Sequence, residues 1–78
     1  MNITIYTSDH CYACREAIRF FQEYGIPYRQ LDVGYDKGNF DEMLRLGGIA
    51  TPLIIVGSQT FHTFDPKKME EALQRHDG

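Results

Sequence analysis

Residues 2–33 carry two strand-like runs separated by one amphipathic helical stretch, an arrangement that leaves few folds open. N-I-T-I-Y-T, residues 2–7, is β-branched and aromatic and suits a strand covered on both faces. From Tyr12 to Tyr24 the apolar positions Cys14, Ala17, Ile18, Phe21 and Tyr24 recur at spacings of three and four, with charged and amide side chains between them. Gly25 ends that helix and Pro27 forbids its return, so Y-R-Q-L-D-V, residues 28–33, is a second strand with Leu31 and Val33 on one face. Two strands joined through a helix in so few residues predict a right-handed βαβ unit, and therefore a sheet with at least one parallel pair.

The rest of the chain adds four elements. Asn39 with Glu42 three positions on has the form of a capping box, and Phe40, Met43 and Leu44 give a short apolar face that Gly47-Gly48 stops. P-L-I-I-V, residues 52–56, is a continuous apolar run fit for a central strand. Gly57-Ser58-Gln59 turns it back into T-F-H-T-F, residues 60–64, as an antiparallel hairpin. Asp65-Pro66 opens a last helix, with an N-cap side chain followed by proline at a position that needs no N–H. Phe64 and Met69 take the staple positions, and Met69, Ala72, Leu73 and His76 form the inward stripe. The predicted order is β-α-β-α-β-β-α, one domain over residues 1–78. A hydrophobic content of 42% with five Phe and five Tyr supplies a single compact core.

Charge and hydropathy remove several functions. The net charge is −3 and the eight basic residues are scattered, so no stripe for neutralising phosphates exists and nucleic acid is not an expected partner. No apolar run approaches the about 18 residues of a membrane span, and M-N-I-T-I-Y lacks a charged leader and cleavage site. The expectation is a cytoplasmic monomer without a membrane partner. In a reducing compartment, a pair of cysteines two residues apart is catalytic or metal-binding more often than a permanent crosslink.

Both cysteines of the chain lie in S-D-H-C-Y-A-C-R-E, residues 8–16. Cys11 falls where the first strand ends and the helix begins, over unpaired backbone N–H groups and the positive end of the helix dipole, a place that favours a thiolate. Cys14 lies one turn on, on the apolar stripe, and is expected to be the more buried sulfur. Cysteines so spaced have Cα atoms about 5 to 6 Å apart, within disulfide range. Closing so small a loop adds little stability, which suits a bridge that opens and closes. Lowering a thiol pKa from about 8.5 to about 7 raises its thiolate fraction at pH 7 from about 3% to about half, but the accompanying loss of nucleophilicity leaves a net gain of only about threefold. A better leaving group and a resolving thiol held close are the larger benefits. A zinc site lacks two ligands, with only His10, His62 and His76 to supply them, and Arg15 after the second cysteine rules out the haem-attachment pattern. Two inert buried thiols remain the plain alternative.

The strand I-T-I-Y-T, the C-x-x-C opening a helix, the T-P dipeptide before P-L-I-I-V and the closing F-D-P together resemble a small glutaredoxin-like protein of the thioredoxin fold. The resemblance implies an α/β architecture with a four-stranded mixed sheet flanked by helices, a cis Thr51-Pro52 bond beside the cysteines, and a Thr51 backbone that pairs with an extended substrate segment. It also implies a thiol–disulfide oxidoreductase without a bound cofactor, whose partners are a disulfide-containing protein and a reductase. C-Y-A-C, S-D-H, A-T-P and H-T-F-D-P depart from the C-P-Y-C, preceding basic residue, T-V-P and Gly-Gly-Asp of glutathione-using members. The F-D-P ending is closer to the NrdH-type redoxins, which take electrons from thioredoxin reductase and NADPH, although Thr63 replaces their glycine. The alternatives are a glutathione-dependent cycle in which Cys11 alone suffices, and a metal or iron–sulfur carrier bridged between two chains.

Among the other candidates, Tyr12 is either a contact flanking the mixed disulfide or an exposed aromatic. His10 either stabilises the Cys11 thiolate when protonated or is a solvated turn residue. Tyr6 and Phe64 either surround the sulfurs or belong to the core. Asp65 is an N-cap first and, by analogy, a substrate contact. Lys67 and Lys68 form a solvated patch or a partner contact.

Overall fold

A computed structural model describes residues 2–75. Its elements are β1 (Ile3–Thr7), α1 (Tyr12–Glu23), β2 (Arg29–Asp32), α2 (Lys37–Arg45), β3 (Leu53–Val56), β4 (Gln59–Phe61) and α3 (Pro66–Arg75), in the predicted order. The strands form one mixed sheet in the order β2-β1-β3-β4. β1 runs parallel to β2, with Thr4 opposite Arg29 and Thr7 opposite Asp32, and antiparallel to β3, with Ile3 opposite Val56 and Tyr6 opposite Leu53. β4 closes the other edge through the pairing of Val56 with Gln59.

Alternation along the two central strands sorts the core into two faces. Ile3, Ile5, Ile54 and Val56 meet Ala17 and Phe21 of α1 and Met69 and Leu73 of α3. Tyr6 and Leu53 point the other way and pack with Met43 of α2 and with Leu31, Val33 and Ile55. Sheet faces covered from both sides explain why β1 reads as β-branched and aromatic and β3 as a continuous apolar run. Tyr6 is therefore a core residue of the α2 face, opposite the face that α1 covers. Its hydroxyl donates to the Glu42 carboxylate, and burial, reinforced by that bond, pushes the phenol up to about 12.

The helix ends follow their local chemistry. α1 ends at Glu23 with Tyr24 as its C-cap. Gly25 then adopts φ 64°, and its N–H bonds to Gln22 while the Ile26 N–H bonds to Phe21. This 5→2 and 6→1 pair is the Schellman arrangement, which only a residue tolerant of the left-handed region completes without strain. α2 ends in the same way, with Gly47 at φ 91° bonding to Leu44 and Gly48 to Met43.

Three expectations need correction. The N-cap of α2 is Asp36, whose carboxylate accepts the Asn39 N–H at 3.0 Å, so the helix starts two residues before Asn39. Asn39 instead donates to the Asp32 carbonyl, and Glu42 takes the Tyr6 hydroxyl, so no capping box forms. Of the apolar face given to α2, only Met43 is buried while Phe40 and Leu44 are exposed, because the patch beneath is already filled by Tyr6, Leu53 and their neighbours. The last strand spans Gln59–Phe61 rather than 60–64, since Gly57 and Ser58 alone make the turn, with φ 61° at Gly57. His76, assigned to the α3 stripe, lies outside the described residues.

Candidate dithiol site

β1 delivers the chain to the site. After Thr7 the loop Ser8-Asp9-His10 reverses direction, and His10 does so at φ 59°, a left-handed conformation in which histidine is among the more tolerant non-glycine residues. His10 is exposed there, consistent with a solvated turn residue. Cys11 follows as the N-cap of α1 with extended backbone (φ −106°, ψ 101°), and its sulfur accepts the Cys14 N–H at 3.1 Å. A helix thus starts with its capping acceptor being the half-exposed sulfur, where serine or aspartate is the usual choice.

Cys14 is 2% exposed and sits behind Cys11. The two are joined as a disulfide with Cα atoms 5.2 Å apart, as the spacing predicted. In the reduced state, the same N–H and the helix dipole favour negative charge on the Cys11 sulfur, whereas Cys14 is buried away from solvent. Cys11 is the accessible sulfur of the pair and Cys14 the buried one.

The α2–β3 loop meets the chain just after β1. Thr51-Pro52 is cis, with Pro52 buried. The Thr51 and Ser8 hydroxyls are 2.6 Å apart, tying this loop to the strand end three residues before Cys11. Ser8 is absent from the residues singled out by sequence reasoning. A small hydroxyl at the end of a buried strand was the available signal, but its partner is 43 positions away.

Tyr12 is exposed at the first helical position, with the Arg15 guanidinium 6.0 Å above its ring. Phe64 packs edge-on against Phe20 at 5.6 Å and joins the α1–α3 core. Asp65 caps α3 by accepting the Lys67 and Lys68 N–H groups at 3.0 and 3.3 Å. Packing and capping account for both. Among the described residues no group of three His, Cys, Asp or Glu side chains converges as a metal site, and no helix is long and apolar enough to cross a membrane.

A strand, an N-capping cysteine with a buried partner one turn on, and a cis-proline loop hydroxyl-bonded to the strand end set the terms for comparison with known proteins. The glutaredoxin family profile matches residues 3–61, a stretch that holds both cysteines and Thr51-Pro52. The chain belongs to the glutaredoxin family. Comparison with curated protein sequences returned no match. Among solved structures, this glutaredoxin is similar to the glutaredoxin-like NrdH-redoxin of Escherichia coli, with a TM-score of 0.81 and 24% identity, covering 91% of this chain and 93% of that one. The thioredoxin-like protein BC3987 gives a TM-score of 0.85 at 21% identity over 91% of this chain and 99% of that one. A glutaredoxin from Archaeoglobus fulgidus gives 0.80 at 13% identity over 94% and 86%. At these identities the structural likeness shows the thioredoxin-like fold. Family membership together with the joined cysteine pair makes the protein a thiol–disulfide oxidoreductase.

Proposed function

We propose that this glutaredoxin is an NrdH-type dithiol redoxin that reduces protein disulfides and is itself reduced by thioredoxin reductase with NADPH. The observation that carries the reading is the asymmetry of the pair, a half-exposed Cys11 at the helix start and a buried Cys14 with its Cα 5.2 Å away. The Cys11 thiolate attacks one sulfur of the substrate disulfide, which breaks and releases one substrate thiolate that takes up a proton. Cys14 loses its proton and attacks the Cys11 sulfur, expelling the second substrate thiolate and leaving the Cys11–Cys14 bridge. Two electrons pass to the substrate, and NADPH returns two through the reductase.

Charge and loop chemistry favour a protein reductant over glutathione. Glutathione is anionic, and the loop before Cys11 offers Asp9 where a cation would serve it. The H-T-F-D-P segment before α3 has no glycine pair to bring backbone N–H groups onto a carboxylate. NrdH-redoxin of Escherichia coli is described as having a thioredoxin-like activity profile despite its glutaredoxin-like character, in keeping with this reading.

Two assays test it. NADPH oxidation in the presence of a protein disulfide should be supported by thioredoxin reductase and not by glutathione with glutathione reductase; the reverse preference overturns the assignment of reductant. Cys14→Ser should accumulate a mixed disulfide with substrate, visible by mass spectrometry, and should lose sustained turnover. Turnover of protein disulfides by that variant at the parent rate would remove the resolving role from Cys14.

A further inference from the structure

Beside Thr51 lies an open groove of about 380 Å³ whose lining includes Ser8, Val33, Phe40, Met43, Ile49 and Thr51. Two of these residues are the hydroxyl pair that joins the cis-proline loop to the end of β1, so the groove begins three residues before Cys11. Val33, Phe40, Met43, Ile49 and Ala50 make more than half of its lining residues apolar. Ile49 is 89% exposed on the α2–β3 loop, and Phe40, like Leu44, is an α2 residue left outside the core. Apolar side chains left in water next to a reactive group point to a partner that covers them.

The groove's surroundings say what kind of partner. Asp32 and Asp36 flank Val33 and Gly34, and Tyr35, 82% exposed, donates its hydroxyl to Asp9 and its N–H to the Asp32 carboxylate. One aromatic residue thus gathers Asp9 and Asp32, which adjoin the lining residues Ser8 and Val33 in the chain. Asp36 holds the Asn39 N–H as a helix cap. Among the described residues the one ion pair is Glu16 with Arg19, so none of these three carboxylates has a cationic partner. From Asp32 to Asp41, Lys37 at the start of α2 is the single lysine or arginine against three aspartates, so this stretch is net negative.

We propose that this groove seats an extended, cationic segment of the substrate protein, with an apolar side chain over Ile49 and Phe40 and a lysine or arginine against the Asp9–Asp32–Asp36 rim. The proposal rests on the dithiol reading above and narrows its substrate class to disulfides whose attacked cysteine lies near such a pair of side chains. Ser8 is three residues from Cys11, at most about 11 Å between Cα atoms, a span an extended chain covers in about three residues. The end of the groove at Ser8 is therefore reached within about three residues of the substrate cysteine. Apolar burial holds the segment, and the rim sets orientation and rejects acidic sequences.

The test uses four short peptides, each linked through its cysteine to the same small aromatic thiol, carrying leucine or glycine and lysine or glutamate within three residues of the cysteine. Reduction is followed by the released thiol as kcat/KM, with the reduced full-length protein in catalytic amount and reductase in excess. The leucine–lysine peptide should exceed the leucine–glutamate peptide by about fivefold at low salt, and the ratio should shrink toward unity near 0.5 M salt. Asp9→Asn/Asp36→Asn keeps the amide acceptors for Tyr35 and for the helix cap, and should bring the low-salt ratio below about twofold. Ile49→Ser should erase the preference for leucine over glycine while leaving the charge preference. A lysine-to-glutamate ratio near one in the parent, or one unchanged by the double substitution, overturns the proposal while leaving the redoxin reading intact. Failure to reduce any of the four peptides overturns both.

Discussion

Replacing Gly48 tests how the fold positions the cis-proline loop. A Cβ at this position would lie 2.8 Å from Leu53 Cδ2 and 2.9 Å from Met43 Cγ, against an ordinary carbon–carbon contact of about 3.5–4.0 Å. Both neighbours are buried in the α2-side core, so neither has free space to swing into. Relieving two such overlaps requires off-rotamer side chains or a backbone shift, at a cost of about 1–3 kcal/mol. Gly48 is not among the positive-φ glycines, so the penalty is steric. Gly47 supplies the contrast: a Cβ there meets nothing within 4 Å, but φ is +91°, so Gly47→Ala costs about 1 kcal/mol through backbone conformation alone.

The functional consequences separate as well. Residues 48–51 lead directly into Thr51-Pro52, so Gly48→Ala should displace Thr51 from Ser8 and slow protein-disulfide reduction, whereas Gly47→Ala should lower stability with a much smaller loss of rate. Urea unfolding of the oxidised proteins, followed by circular dichroism, gives the stabilities, and insulin reduction gives the rates. A double-mutant cycle with Met43→Ala locates the clash: removing Met43 Cγ makes room for the new methyl, so the pair should be less destabilising than the sum of the singles by about 1 kcal/mol. A Gly48→Ala protein within about 0.5 kcal/mol of the parent, or one strictly additive with Met43→Ala, would refute the packing argument.

The Tyr6 phenol, raised from 10.0 to about 12 by burial and by its bond to Glu42, makes stability depend on alkaline pH. The native state favours the neutral phenol, so a contribution of about 3 kcal/mol, at about 1.4 kcal/mol per unit, is fully present below pH 10 and is lost as pH rises from 10 through 12. Urea midpoints from pH 9 to 12 should fall more steeply for the parent than for Tyr6→Phe, and equal slopes would contradict this. Asp65→Ala should cost about 1 kcal/mol by removing the cap from the Lys67 and Lys68 N–H groups, and Asp65→Asn should restore most of it. If Asp65→Asn keeps stability but raises KM for protein disulfides, the residue also contacts substrate. Phe21→Ala removes a fully buried ring from the α1–α3 core and should cost about 3–5 kcal/mol in denaturant unfolding, with a loss under 1 kcal/mol showing that the core had collapsed around the gap.

The features legible in the sequence are those decided within one turn of chain. Cys11 at a helix start and Cys14 on the apolar stripe follow from spacing alone, and the site geometry bears this out. Gly25 as a helix stop and Asp65-Pro66 as a helix start are equally local. Where two local signals competed, sequence reading chose wrongly: Asp36 and Asn39 are both good caps, and the Asp32 carbonyl, which draws off the Asn39 side chain, belongs to a neighbouring strand. The exposure of Phe40 was hidden for a related reason, since helical periodicity marks an apolar face without saying how much sheet is left to cover it.

Residue order by itself therefore determined the succession of strands and helices and the placement of two sulfurs one turn apart, because backbone propensity, capping and periodicity act over a few residues. Tertiary structure alone decided that Ser8 meets Thr51 across 43 positions, that Tyr35 gathers two acidic residues beside an apolar groove, and that Tyr6 serves the α2 face. Those contacts join segments distant in the chain, and they form only once the sheet order β2-β1-β3-β4 brings its strand ends and loops together.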